Sequence, residues 1–184
     1  MGSLIALEAA ARAPARVAIS AIALVGSAYP MKVSEALLDA ANHDQPAAIA
    51  IVNKWSHSSF VQKPSSPGPG FYVLGGSQRL MERMAQLDQR NPARAANTVF
   101  HTDFAACNTY QNGDAAARAI RCPTLFLLGK RDVMTPPKAA GALHNAIPQA
   151  QVALIDSGHA LMAEQPDAVL DQLFRFASGI GKVE

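Results

Sequence analysis

The sequence predicts an α/β protein built on a parallel sheet, and three runs of residues carry that prediction. Pro123-Thr-Leu-Phe-Leu-Leu-Gly129 is a continuous apolar stretch closed by glycine, the pattern of a strand buried on both faces. Val152-Ala-Leu-Ile155 repeats it after an intervening helical segment. Val17-Ala-Ile-Ser-Ala-Ile-Ala-Leu-Val25, closed by Gly26, supplies a third strand.

Taken in order, residues 3 to 13 are rich in Ala and Leu and predict a helix that ends before Pro14, because proline pushes the preceding residue out of helical geometry. The strand over 17–25 follows. From about Pro30 to Arg118 the pattern turns helical, with helices expected over 31–42, 46–55, 77–89 and 92–106. Lys63 to Gly76, full of Pro, Gly and Ser, reads as a loop. A strand over 123–129 then resumes the alternation, followed by a helix from about Pro136 to Ala146, a strand over 151–156 and a helix over 166–177. Thr135 stands where an N-cap would precede Pro136 at the first helical position. The expected organisation is therefore a core from residues 1–29 and 119–184, with 30–118 inserted as helices. Three strands in sequential order leave the first without a neighbour on one side. Such an apolar edge invites self-association.

Composition narrows the function classes. The chain has 184 residues, 49% hydrophobic and 16% charged, ordinary values for one compact domain. Its 16 Lys and Arg are scattered and the formal net charge is +2, so no basic stripe predicts a nucleic-acid or membrane partner. Cys107 and Cys122 form no CxxC pair and no His cluster has metal-ligand spacing, so neither a disulfide framework nor a metal is expected, and the cytoplasm is the expected compartment. No basic leader opens the chain, and Val17–Val25 is too short to span a bilayer. Met1-Gly2 begins a myristoylation pattern that Ala6 breaks.

The chemistry is expected at the strand ends, because in open α/β sheets the residues just after a strand form the rim where ligands bind. Asp132 follows the strand ending at Gly129, and His159 follows the strand ending near Ile155. An acid and a histidine on adjacent strand ends are two members of an acid, base and nucleophile triad.

The two motifs, Gly129-Lys-Arg-Asp132 and Gly158-His159-Ala-Leu-Met, resemble the end of an α/β-hydrolase. Met1-Gly2 followed by a helix is similar to the second half of that family's Gly-x-Ser-x-Gly elbow, in which the nucleophile sits on a sharp strand-to-helix turn. The resemblance covers the whole chain but only the last three strands of the family's sheet, with the helical insertion as its cap. It implies that Asp132 is the acid, His159 the general base, and Met1 the residue whose backbone N–H lines the oxyanion hole. It also implies that the nucleophile lies just before residue 1, through a misplaced start codon, a short gene or an incomplete chain. Serine is the nucleophile favoured by Gly-x-Ser-Met-Gly, with Asp followed by Trp the pattern of dehalogenase and epoxide hydrolase relatives. The implied activity is hydrolysis of a small, largely apolar ester, amide or related carbonyl compound without a cofactor, as esterase, lactonase, carbon–carbon bond hydrolase or perhydrolase. The 184 residues alone are expected to be inactive. The alternative is a non-catalytic fragment or binding module that associates through its open strand edge.

Other residues have plainer expectations. Met134 and Leu161, beside the two candidate positions, and Trp55 of the insertion are candidates for a substrate pocket, as are Phe60, Phe71 and Tyr72. His43, His57, His101 and His144 lack the matching context and read as structural. Ser3 lies in a helix and Ser20 in a strand, so neither reads as a substitute nucleophile. Asp156 reads as a turn residue and Cys122 as a small buried one.

Overall fold

Three strands, β1 (Ile22–Val25), β2 (Thr124–Gly129) and β3 (Gln151–Ile155), form one parallel sheet in that order. The computed structural model describes residues 1–14, 16–58, 73–91 and 98–180. In chain order the helices are α1 (Gly2–Ala11), α2 (Glu35–His43), α3 (Gln45–Ser56), α4 (Val73–Gln89), α5 (Val99–Thr109), α6 (Gly113–Ala119), α7 (Gly141–Ala146), α8 (Leu161–Glu164) and α9 (Pro166–Ile180).

β2 is central, with Leu24 opposite Phe126 on one side and Val152 opposite Phe126 on the other. Every residue of β2 is buried, which is why its sequence shows no polar alternation. Its side chains divide by the two-residue period of a strand. Phe126 and Leu128 pack with Leu7 of α1, Ala116 and Ala117 of α6 and Leu143 of α7. Leu125 and Leu127 face the other way, onto Val169 and Phe176 of α9. Removing a ring such as Phe126, which is fully buried, would cost about 3–5 kcal/mol.

The strand expected over 17–25 forms only from Ile22. Its first rung is the Ile22 N–H donating to the Pro123 carbonyl at 3.0 Å, and Pro123 has no N–H with which to extend the ladder. Residues 17–21 therefore lack a partner strand, and Ile19 and Ala21 pack their side chains onto opposite faces of the sheet instead. β3 stops at Ile155, one residue short of the expected bound.

The α2 to α5 part of the segment between β1 and β2 packs round a core of its own, made of Leu37, Ala41, Ala48, Ile49, Ala85 and Phe100. Its helices start where side chains cap them. The Ser34 hydroxyl accepts from Leu37 N–H, Asp44 from Ala47 N–H, and Thr98 from His101 N–H. α4 begins at Val73, so Gly75 and Gly76 lie inside a helix rather than in the expected loop. The Asn53 amide donates to the Leu74 carbonyl at 3.2 Å and fastens that first turn to α3. Residues 63–72 of the expected loop, and 92–97 at the start of an expected helix, lie outside the described residues. α6 has no counterpart in the sequence expectations.

Candidate active site

Close backbone approach builds the site. After β2 the chain turns at once, and Lys130 and Arg131 N–H donate to the carbonyls of Ile155 and Ser157, locking the turn onto the end of β3. A Cβ at Gly129 would fall 2.3 Å from the Gly158 carbonyl oxygen, and one at Gly158 would fall 2.7 Å from the Ser58 nitrogen. Both positions need glycine because main chain fills the space. Gly26, after β1, has φ of 57°, and a Cβ there would meet His159 Cε1 at 2.9 Å. Gly26 and Gly129 at their strand ends, and Gly158 three residues beyond β3, thus bring the strand ends together.

Asp132 and His159 meet at this junction, with His159 Nδ1 2.8 Å from Asp132 Oδ2. The Asp132 side chain is 0% exposed and that of His159 32%. The buried carboxylate has four donors. Oδ1 accepts from Met134 and Thr135 N–H, both at 2.8 Å, and Oδ2 accepts from the Thr135 hydroxyl at 2.7 Å and from His159. Burial by itself raises the carboxyl's pKa. The His159 hydrogen bond and charge, joined by the Thr135 N–H and hydroxyl, outweigh it and hold Asp132 below the ordinary aspartate value. An ionised carboxylate can only accept, so Nδ1 carries the hydrogen and Nε2 is the nitrogen left free to take a proton.

Two residues that hold this geometry are not legible as such in the sequence. Thr135 is no helix cap: a short 3₁₀ turn begins at Pro137 with Pro136 at the cap position. Its hydroxyl instead sits 2.7 Å from Asp132 Oδ2, 3.0 Å from the Gly26 carbonyl and 3.0 Å from His159 Nδ1, touching the loops after all three strands. Glu164 straps the histidine loop from the other side. Its Oε1 accepts from Gly158 N–H at 2.9 Å and Ser58 N–H at 3.0 Å, and its Oε2 from the Ser58 hydroxyl. Ala160 N–H donates to the Ser56 carbonyl at 2.8 Å, so the end of α3 and the His159 loop are joined.

A cavity of about 560 Å³ opens beside His159. Met1, Met134 and Trp55 line it, together with Thr135 and His159. Leu161 does not: it is 1% exposed and packs with Leu125, Leu127 and Val169, because it opens α8 facing the sheet. Phe60, Phe71 and Tyr72 lie outside the described residues. His57 is buried between the Asn53 carbonyl and the Ser77 hydroxyl, and His144 packs edge-on against Phe126. Asp156 pairs with Arg131 at 3.1 Å, a turn role. Among the described residues no group of three or more His, Cys, Asp and Glu could hold a metal ion, and no helix is long and apolar enough to cross a membrane.

The profile of the alpha/beta hydrolase family matches residues 1–172, and the chain belongs to that family. Solved structures share its fold. A thermophilic esterase superposes with a TM-score of 0.65 at 20% identity, covering 88% of this chain and 57% of its own. The enol-lactonase from Burkholderia xenovorans LB400 gives 0.67 at 19% identity over 97% of this chain and 63% of that one. An esterase from Exiguobacterium antarcticum gives 0.71 at 16% identity over 96% and 63%. The chain thus spans between 57% and 63% of the length of these three proteins. No curated protein matches it in sequence.

Proposed function

We propose that the chain carries the acid and the general base of a serine hydrolase acting on a small, largely apolar ester, amide or related carbonyl compound. The observation that carries this reading is the 2.8 Å contact of His159 Nδ1 with the buried, ionised Asp132 at the wall of an apolar cavity. As the serine oxygen bonds to the substrate carbonyl carbon, its proton passes to His159 Nε2, and Asp132 stabilises the imidazolium. The tetrahedral oxyanion collapses, the leaving group departs with the proton from Nε2, and water repeats the sequence on the acyl-enzyme. Esterases and an enol-lactonase share the fold, which supports the ester end of the substrate range.

In this reading the serine precedes Met1, and the Met1 backbone N–H donates to the oxyanion. Support comes from Met1 and His159 lining one cavity. Residues 30–118 act as a cap, a role supported by Met81 and Met84 of α4 and Phe100 and Phe104 of α5 lining the same space. The cytoplasm is the compartment we propose, since Cys107 and Cys122 are free thiols.

Hydrolysis of a p-nitrophenyl ester tests the proposal. The 184-residue chain is expected to be inactive, and the chain joined in frame to upstream codons that encode Gly-x-Ser is expected to be active. His159→Ala in the extended protein should lower kcat on the order of a million-fold. Hydrolysis by the 184 residues that His159→Ala leaves unchanged would overturn the reading. Upstream codons without Gly-x-Ser would favour the second reading, a non-catalytic module that associates through the open edge of β1, which has no partner strand on its outer side among the described residues.

A further inference from the structure

The wall of the cavity beside His159 is made of sulfur and rings. Of the chain's 6 methionines, Met1, Met31, Met81, Met84 and Met134 line it. They come from separate places: Met31 follows β1, Met134 follows β2, and Met81 and Met84 stand three apart on one face of α4. Phe100 and Phe104 of α5, stacked with ring centroids 5.7 Å apart, form another wall.

Methionine is unbranched, polarisable and free to turn about three bonds, so a wall of methionines follows the shape of what it holds. Polar readers are few. Lys32 and Asp103, of opposite charge, are the charged side chains of known sign at the wall, and the Met1 terminal ammonium lies 3.9 Å from the Met31 sulfur. The Thr135 hydroxyl is already committed to Asp132 and Gly26. A sugar or other polyhydroxylated ligand would bury hydroxyls without partners, at a cost for each of them.

We propose that this cavity receives a flexible, unbranched hydrocarbon arm of the substrate, and that Met31, Met81, Met84 and Met134 make it tolerant of the arm's length by repacking round it. The inference rests on the reading above in placing the substrate carbonyl at His159. The binding preference itself requires no nucleophile.

Trp55, the only tryptophan of the chain, lies at the cavity and reports its occupancy by fluorescence. The full chain, titrated with butanoate, octanoate, dodecanoate and gluconate below any micelle concentration, is expected to bind octanoate and dodecanoate saturably, with Kd values within about tenfold of each other. Gluconate should leave the emission unchanged. The Met81→Ile/Met84→Ile pair stiffens the wall at similar volume and should weaken dodecanoate more than about tenfold relative to octanoate.

A second measurement needs no variant. Dodecanoate should slow peroxide oxidation of Met31, Met81, Met84 and Met134, read by mass spectrometry, and leave Met162 unprotected, since that residue is 65% exposed and stands outside the cavity. Equal protection of Met162, no saturable change with any alkanoate, or binding of gluconate alone would overturn the inference. Ester hydrolysis by the extended protein, found together with any of these results, would leave the hydrolase reading standing and sink this one alone.

Discussion

The Asp132 carboxylate is out of water and has four protein donors in its place, one of them the Thr135 hydroxyl. Because its pKa in the fold lies below its ordinary value, Asp132 contributes stability that is complete above about pH 4 and is lost as pH falls through the lowered value. Thr135→Val keeps the shape and deletes one donor to a charged group, a loss of about 1.5–3 kcal/mol at neutral pH. The folded carboxyl should titrate higher than in the wild type, and the stability gap between the two proteins should narrow as pH drops below about 4. Thr135→Ser should restore both. Carbon NMR of the Asp132 carboxyl and urea unfolding across pH check this, and an unmoved carboxyl titration would show that the hydroxyl does not hold the pair. Asp132 and His159 are legible in the sequence because each follows closely on an apolar run, with Gly129 closing the first and Gly158 standing just before the histidine. Thr135 is not, since threonine ahead of Pro136-Pro137 has the same letters whether it caps a helix or turns to a carboxylate three residues back.

α1 is joined to the end of α5 and the start of α6 through one carboxylate. Glu8 accepts from the Tyr110 hydroxyl at 2.6 Å and the Asn112 amide at 2.7 Å, with Arg12 2.5 Å away. The Tyr110 and Asn112 hydrogen bonds, aided by Arg12 and opposed by burial, lower the Glu8 pKa. Burial first and Glu8 second push the Tyr110 phenol well above its ordinary value. Glu8→Gln removes the carboxylate's charge, weakens the hydrogen bond it accepts and keeps the burial, so Tyr110 should ionise at lower pH than in the wild type while staying above a free tyrosine. An absorbance titration of the tyrosines reads this, and an unchanged curve would mean that the carboxylate does not govern the phenol. How well each element can be read follows from what holds it. β2 is nearly complete in the sequence because burial on both faces leaves an unbroken apolar run. β1 is overestimated since strand length depends on where Pro123 ends the ladder, and α6 is missed because its short Ala-rich turn shows no periodic face.

At the scale of the whole molecule the sheet has two outer edges, those of β1 and β3, without a partner strand among the described residues. Leu170 and Phe174, four apart on α9, are 64% and 70% exposed, and Val152 and Leu154 of β3 are also exposed. An apolar stripe of this kind beside an open sheet predicts self-association. Sedimentation velocity should show the chain's apparent mass rising with concentration, and Leu170→Glu/Phe174→Glu should reduce that rise without changing the circular dichroism. A monomer at every concentration would refute the expectation. Nothing in the amino-acid order alone marks these two residues as exposed, because the same spacing on α9 would serve equally well to face a core.

The contact of Gly129 with Gly158 leaves no atom's width between the turn that bears Asp132 and the turn that bears His159. A side chain at Gly129 would displace the His159 turn, and one at Gly158 would displace Ser58 and Glu164 on its other side. Helices α2 to α5, by contrast, have their own packing centre, and Ser56 and Ser58 at the end of α3 join them to the turn that bears His159. Descendants of this gene are therefore expected to vary those helices while the two turns of Asp132 and His159 are inherited together as a unit.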